Sequence, residues 1–147
     1  MVPVVGDGRC LFRAVGAGLA RSRGKADLSE VEQRDLADLL RMQAVGELEK
    51  RKEEVQWFLE EDFDAYVRAM AQPHTWGGEP EILMLAHVLK RPVHVYMKDT
   101  RAWYVRIAEY GGRDEDGACV VPIDVLFHGQ GHYESLERRM PELASKL

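Results

Sequence analysis

Cysteine is scarce in this chain: Cys10 and Cys119 are the two in 147 residues. That excludes a disulfide framework, and no C-x-x-C pair is present to hold structural zinc. One thiol is better used as a nucleophile than in a lone bridge. A reducing compartment, the cytoplasm or the nucleus, is therefore expected. Basic surplus is also missing. Twenty Lys and Arg stand against 25 Asp and Glu, for a net charge of −5. A nucleic-acid binder normally shows the opposite balance, so no nucleic-acid partner is expected. The longest apolar run is too short and too interrupted to span a bilayer, which argues against a membrane role. No signal-peptide pattern, internal repeat or low-complexity tract is seen. Gly6-Asp7-Gly8 lacks the Lys-Ser/Thr pair of a phosphate-binding loop. Asp114-Glu115-Asp116-Gly117 lacks the ligand series of a calcium loop. His128 and His132 have H-x3-H spacing, and Cys10 is a conceivable third ligand, but no evident helix carries the pair. No metal and no cofactor are expected.

What is present describes an ordinary globular domain, 46% hydrophobic and 31% charged. Residues 1–147 are expected to form one catalytic domain, excised from a longer protein because the chain begins almost at its main motif, and to be monomeric. Val2–Val5 reads as an extended lead-in. A helix opened by Cys10 should end near Arg21-Ser22-Arg23-Gly24. Ser29 and Glu32 form a capping box that opens a long helix. Its expected apolar positions are Val31, Leu36, Leu39, Leu40, Met42 and Leu48. Trp57-Phe58-Leu59 reads as an apolar knot, Glu61 to Met70 as a short helix, and Pro80 as the start of another. Strands are expected over Val93–Met97, Trp103–Ala108 and Val120–Phe127, with His94 on a polar face and Cys119 in the core. Helices first and strands later imply α+β, with a mostly antiparallel sheet flanked by helices.

The chemistry concentrates at Gly6-Asp7-Gly8-Arg9-Cys10-Leu11-Phe12-Arg13. A thiol at a helix N-terminus faces unpaired N–H groups and the positive end of the dipole, which favours thiolate. The turn amides around Gly8 and Arg9 are candidate oxyanion donors. A base lies downstream in Gly129-Gln130-Gly131-His132-Tyr133-Glu134-Ser135, in the Cys-then-His order of papain-like enzymes. His132 is preferred to His128 because an alternating strand follows it. Two carboxylates are open as the third member. Glu134 shares a strand face with His132. Asp7 comes from the nucleophile's own turn. Asp7 is expected to be required and Glu134 to contribute in part.

Asp7-Gly8-Arg9-Cys10-Leu11-Phe12-Arg13 resembles the D-G-x-C-L-[FY]-R signature of the ovarian-tumour (OTU) domain cysteine proteases. Trp76-Gly77-Gly78-Glu79-Pro80-Glu81-Ile82 is similar to their middle block, and His132-Tyr133-Glu134-Ser135 to their closing block. The three stand in family order, and Ile107–Gly111 resembles the plant-type branch. Arg9 replaces the common Asn, and Glu134 the usual Asp or Asn. The resemblance implies a papain-like OTU fold and a cofactor-free deubiquitinase. Its partner would be ubiquitin, polyubiquitin or a ubiquitin-like modifier, cut after the C-terminal glycine. Cys10 would be nucleophile, His132 base and Asp7 a catalytic or oxyanion-supporting carboxylate. Trp76 is expected in the cleft wall. Glu61, Asp62, Asp64 and Glu79 are candidates to read ubiquitin's basic tail, against the simpler reading of a solvated helix start. Two alternatives follow from other classes: an inactive ubiquitin-binding module, and a structural Cys/His metal domain.

Overall fold

The computed structural model describes residues 7–25, 27–99, 101, 103–111 and 121–137. The expected lead-in, Gly6, the acidic 114–117 loop, Cys119 and the tail beyond 137 lie outside them.

Among the described residues, five α-helices precede four strands. Helix α1 (Cys10–Ser22) is buried on nearly all sides, from Cys10 through Gly16 and again at Leu19 and Ala20. It lies between helix α2 (Glu30–Lys50) and strands β3 (Ile123–Phe127) and β4 (Tyr133–Ser135). Small residues permit that central position. A Cβ on Gly16 would come within 3.2 Å of Leu36, and one on Gly18 within 2.8 Å of Ile123. Apart from Arg13, Arg21 and Ser22 the helix is built of apolar or small residues, which suits burial against neighbours on several sides.

Ser29 and Glu32 cap α2 as the sequence predicts: Ser29 Oγ accepts from the Glu32 amide at 3.1 Å, and Glu32 accepts from the Ser29 amide at 3.2 Å. The buried face differs from the expected stripe. Ala37, Leu40, Arg41, Ala44, Val45 and Leu48 point inward, whereas Val31, Leu39 and Met42 are exposed. Small residues and an arginine hold core positions that hydropathy assigns to larger ones. A one-turn helix α3 (Lys52–Val55) and a 3-10 turn follow. The expected knot there is largely solvent-facing: Trp57 is 77% exposed and meets Phe58 edge-on. Asp62 caps helix α4 (Phe63–Met70) by accepting from the Ala65 amide. Helix α5 (Glu79–Leu89) has Pro80 in its first turn and packs against α2.

The sheet order is β2-β1-β3-β4, with β1 at Val93–Lys98 and β2 at Tyr104–Tyr110. β1 pairs antiparallel with β2 and parallel with β3, and β3 pairs antiparallel with β4. The sheet is thus mixed, antiparallel in its outer pairings and parallel at its centre. Val93, His94 and Val95 are all buried, so the expected polar face at His94 is covered. His94 lies 3.4 Å from Glu109 and 3.9 Å from Asp124, its neighbours on the adjoining strands. The parallel pairing also sets β3 beside α1, and the tight turn after β3 returns the chain across the start of that helix.

Candidate active site

Cys10 is the first residue of α1 and is 1% exposed. Its thiol donates to the Gly131 carbonyl at 3.5 Å, across 121 residues of sequence. The β3–β4 hairpin therefore closes directly over the nucleophile position. Its turn runs through Gly129, Gln130 and Gly131, all with positive φ. The His128 amide donates to the His132 carbonyl, and the His132 amide to Gly129.

Register explains which side chains gather there. Leu126 pairs with Glu134 and Phe127 with Tyr133. Continuing by one position sets His128 opposite His132. Residues two apart on a strand share a face, so His128, His132 and Glu134 come together. His132 Nε2 is 3.6 Å from Glu134 Oε1, and His128 Nε2 is 2.9 Å from Oε2. The rings lie 5.2 Å apart. Glu134 is thus shared between two imidazoles, and His128 is a member of the cluster rather than a bystander.

Asp7 goes elsewhere. Its Oδ1 accepts the Arg9 amide at 3.0 Å, an Asx turn. Oδ2 accepts from Arg13 at 2.8 Å and from the Arg9 side chain at 3.2 Å. Both carboxylate oxygens of Asp7 are thus engaged by Arg9 and Arg13. Burial pushes its carboxyl up, but the Arg13 hydrogen bond and the Arg9 amide outweigh this and hold it below the usual range. Arg9 extends the clamp to Asp38 on α2 at 2.7 Å, and Arg13, fully buried, extends it to Glu30 at 3.0 Å. The Arg9 amide expected to serve an oxyanion is thereby already engaged. The first-turn amides of Cys10 and Leu11 lie beside the sulfur instead.

A third arginine, invisible as a site residue in sequence, secures the same turn. Buried Arg41 donates to the carbonyls of Gly8 at 3.1 Å, Pro73 at 3.0 Å and Met70 at 3.0 Å, and lies over the Phe12 ring at 4.4 Å. Gly8 has φ +87°, and a Cβ there would fall 2.3 Å from the His74 carbonyl oxygen. Only glycine fits that conformation and that approach. The turn before Cys10 is thus bolted to the segment leading to Trp76.

Trp76 is half exposed and packs on the hairpin: a Cβ on Gly131 would sit 2.9 Å from its ring. This places it in the wall beside Cys10. Glu79 accepts from Tyr110 at 2.7 Å and acts electrostatically on Tyr133, whose hydroxyl is pushed up to about 12, chiefly by burial. Glu81 is fully buried, accepting from Tyr66 at 2.6 Å and the Gly78 amide at 2.8 Å. Glu61, Asp62 and Asp64 gather instead at the start of α4, where Asp62 is used as its cap. Of the four acids proposed for a basic tail, Glu79 is the one that acts on β4, through Tyr133.

The thiol itself departs from the helix-terminus expectation. Burial pushes its pKa up, and nearby Asp7 adds to this, while amides of Tyr133 and Leu11 pull in the opposite direction. Desolvation wins, and the resting group is a thiol bonded to a carbonyl rather than a standing thiolate.

The profile of the OTU-like cysteine proteases matches residues 5–133. The OVARIAN TUMOR DOMAIN-containing deubiquitinating enzyme 4 of Arabidopsis thaliana is 49% identical over 140 residues, which cover 92% of this chain and 42% of that protein. The chain thus spans under half of that relative's length. The OTUD1 OTU domain superposes with a TM-score of 0.70 at 24% identity, over 90% of this chain and 81% of the other. An ovarian tumor domain solved in complex with ubiquitin gives 0.60 at 26% identity, over 90% and 66%. A cysteine at the head of a buried helix, a histidine on the hairpin that closes over it, and a family profile running through both lead to one assignment: this chain belongs to the OTU-like cysteine proteases, in their plant-type branch.

Proposed function

We propose that the domain is a deubiquitinase, hydrolysing the isopeptide bond after the C-terminal glycine of ubiquitin. The observation that carries this reading is the closure of the His132 hairpin over Cys10, with Sγ 3.5 Å from Gly131 O. The relative named a deubiquitinating enzyme and the neighbour solved with ubiquitin support the substrate. Cys10 is the nucleophile. Glu134 faces His132 Nε2 and fixes the tautomer that carries its proton there, leaving Nδ1 to take the thiol proton. Because the resting group is a thiol, attack requires that transfer in the same event. The protonated imidazole then delivers a proton to the departing lysine amine. First-turn amides of α1 receive the oxyanion. Water hydrolyses the thioester with His132 again as base. Asp7 and Arg41 do not touch substrate; they hold the turn that aims Cys10.

Cleavage of isopeptide-linked diubiquitin tests the reading. The wild-type chain should release monoubiquitin, Cys10→Ala should not, and Cys119→Ser should retain most activity. Equal loss from both cysteine substitutions would refute the assignment of the nucleophile.

A further inference from the structure

The β3–β4 hairpin gathers more ligating groups than a Cys-His protease needs. A ring nitrogen of His128, one of His132 and a Glu134 carboxylate oxygen all lie within 4.8 Å of one another. Both ring nitrogens face one carboxylate, at 2.9 and 3.6 Å. A tetrahedral zinc with bonds of about 2.0–2.1 Å separates its ligand atoms by roughly 3.3 Å. Only side-chain adjustments of ångström scale are therefore required. Glu134 Oε2 is buried and lacks a hydrogen bond of proper geometry, although His128 lies beside it. The imidazoles are partly exposed, so an ion can enter from solvent. The cross-strand pairing does what H-x3-H on a helix usually does: it places two imidazoles side by side, with the carboxylate behind them. Two nitrogens and a carboxylate suit zinc-like ions rather than calcium or magnesium.

We propose that His128, His132 and Glu134 form an exchangeable site for a divalent transition-metal ion, with Zn²⁺ the best fit, and that its occupancy switches off the proteolytic centre. The inhibitory half rests on the deubiquitinase reading. A metal on His132 Nε2 takes the lone pair there, so the ring's single proton resides on Nδ1. That nitrogen then cannot accept the proton of Cys10. The same ion draws Glu134 away from its orienting position. The fourth coordination position is left to water.

Zinc binding is measured by competition with a chromophoric chelator in the Cys10→Ala/Cys119→Ser chain, where no thiol competes. One zinc per chain is expected. Adding His128→Ala or Glu134→Gln should each weaken binding ten-fold or more. In the thiol-containing chain, ZnCl₂ should inhibit diubiquitin cleavage reversibly, with recovery on EDTA. Measured against its own zinc-free rate, His128→Ala should need at least ten-fold more zinc for half-inhibition. No zinc uptake by the thiol-free chain, or uptake unchanged by His128→Ala, overturns the site. Zinc inhibition equal in wild type and His128→Ala overturns the regulatory role. His128-dependent zinc binding in a chain that never cleaves diubiquitin upholds the site and refutes the proteolytic reading alone.

Discussion

The two halves of the candidate centre are built in opposite ways. The nucleophile turn is over-determined. Asp7, Arg9, Arg13, Asp38 and Glu30 form one ion-pair network, and buried Arg41 ties Gly8 to the 70–73 segment. The base half is a short hairpin with a three-residue strand, partly exposed imidazoles and one carboxylate shared by both. Aim is therefore fixed on the cysteine side, whereas orientation is left adjustable on the histidine side.

The sharpest way to break the rigid half is Arg41→Met, which keeps volume and removes the donors. Three carbonyls lose their charged partner. At about 1.5–3 kcal/mol for each hydrogen bond to a charged group, offset by relaxation, we expect a loss of about 3 kcal/mol. Thermal unfolding should show a drop of about 10 °C, with turnover falling as well. An unchanged melting point would show that the turn does not depend on Arg41.

Glu134→Ala tests the adjustable half. Loss of the orienter should lower kcat on the order of 10²-fold, with little change in melting temperature because its buried Oε2 makes no hydrogen bond. Glu134→Asp should restore part of the activity. If Glu134→Ala keeps full kcat, the base is oriented by something else.

Asp7→Asn separates stability from orientation. We expect a loss of about 1–2 kcal/mol, discounted for partial exposure. The folded carboxyl has a depressed pKa. Its contribution is present above the unfolded value, about 3.9, and is lost as pH falls through the lower folded one. The stability gap between wild type and Asp7→Asn, followed by denaturant unfolding, should thus close on acidification. A gap that widens as pH falls contradicts the arginine clamp. The smallest effect belongs to the α4 acids. Glu61→Gln and Asp64→Asn should change kcat/KM by under two-fold, and a ten-fold loss would bring α4 into substrate recognition.

Much of this was legible in the chain. The Ser29–Glu32 box, Pro80 and the alternation of β1 mark elements through local chemistry, which sequence carries directly. Cys10 and His132 stood out because each borders a glycine-rich turn. The α2 face was misread because hydropathy rewards Val31, Leu39 and Met42, whereas the interior selects Ala37, Ala44 and Arg41 for fit and for carbonyl bonding. The partners of Asp7 were hidden for a related reason. Three residues from Cys10 in sequence is close, but Arg9 and Arg13 are closer in space and carry the opposite charge. His132 was preferred to His128 for the strand that follows it, but the hairpin turn folds His128 back onto Glu134 as well.

The most direct test of the central claim is covalent labelling with ubiquitin carrying a C-terminal electrophile, followed by intact-mass measurement and peptide mapping. The account predicts a single ubiquitin adduct on Cys10 that disappears in Cys10→Ala and slows strongly in His132→Ala. No adduct on the folded wild-type chain, or an adduct mapping to Cys119, would contradict it.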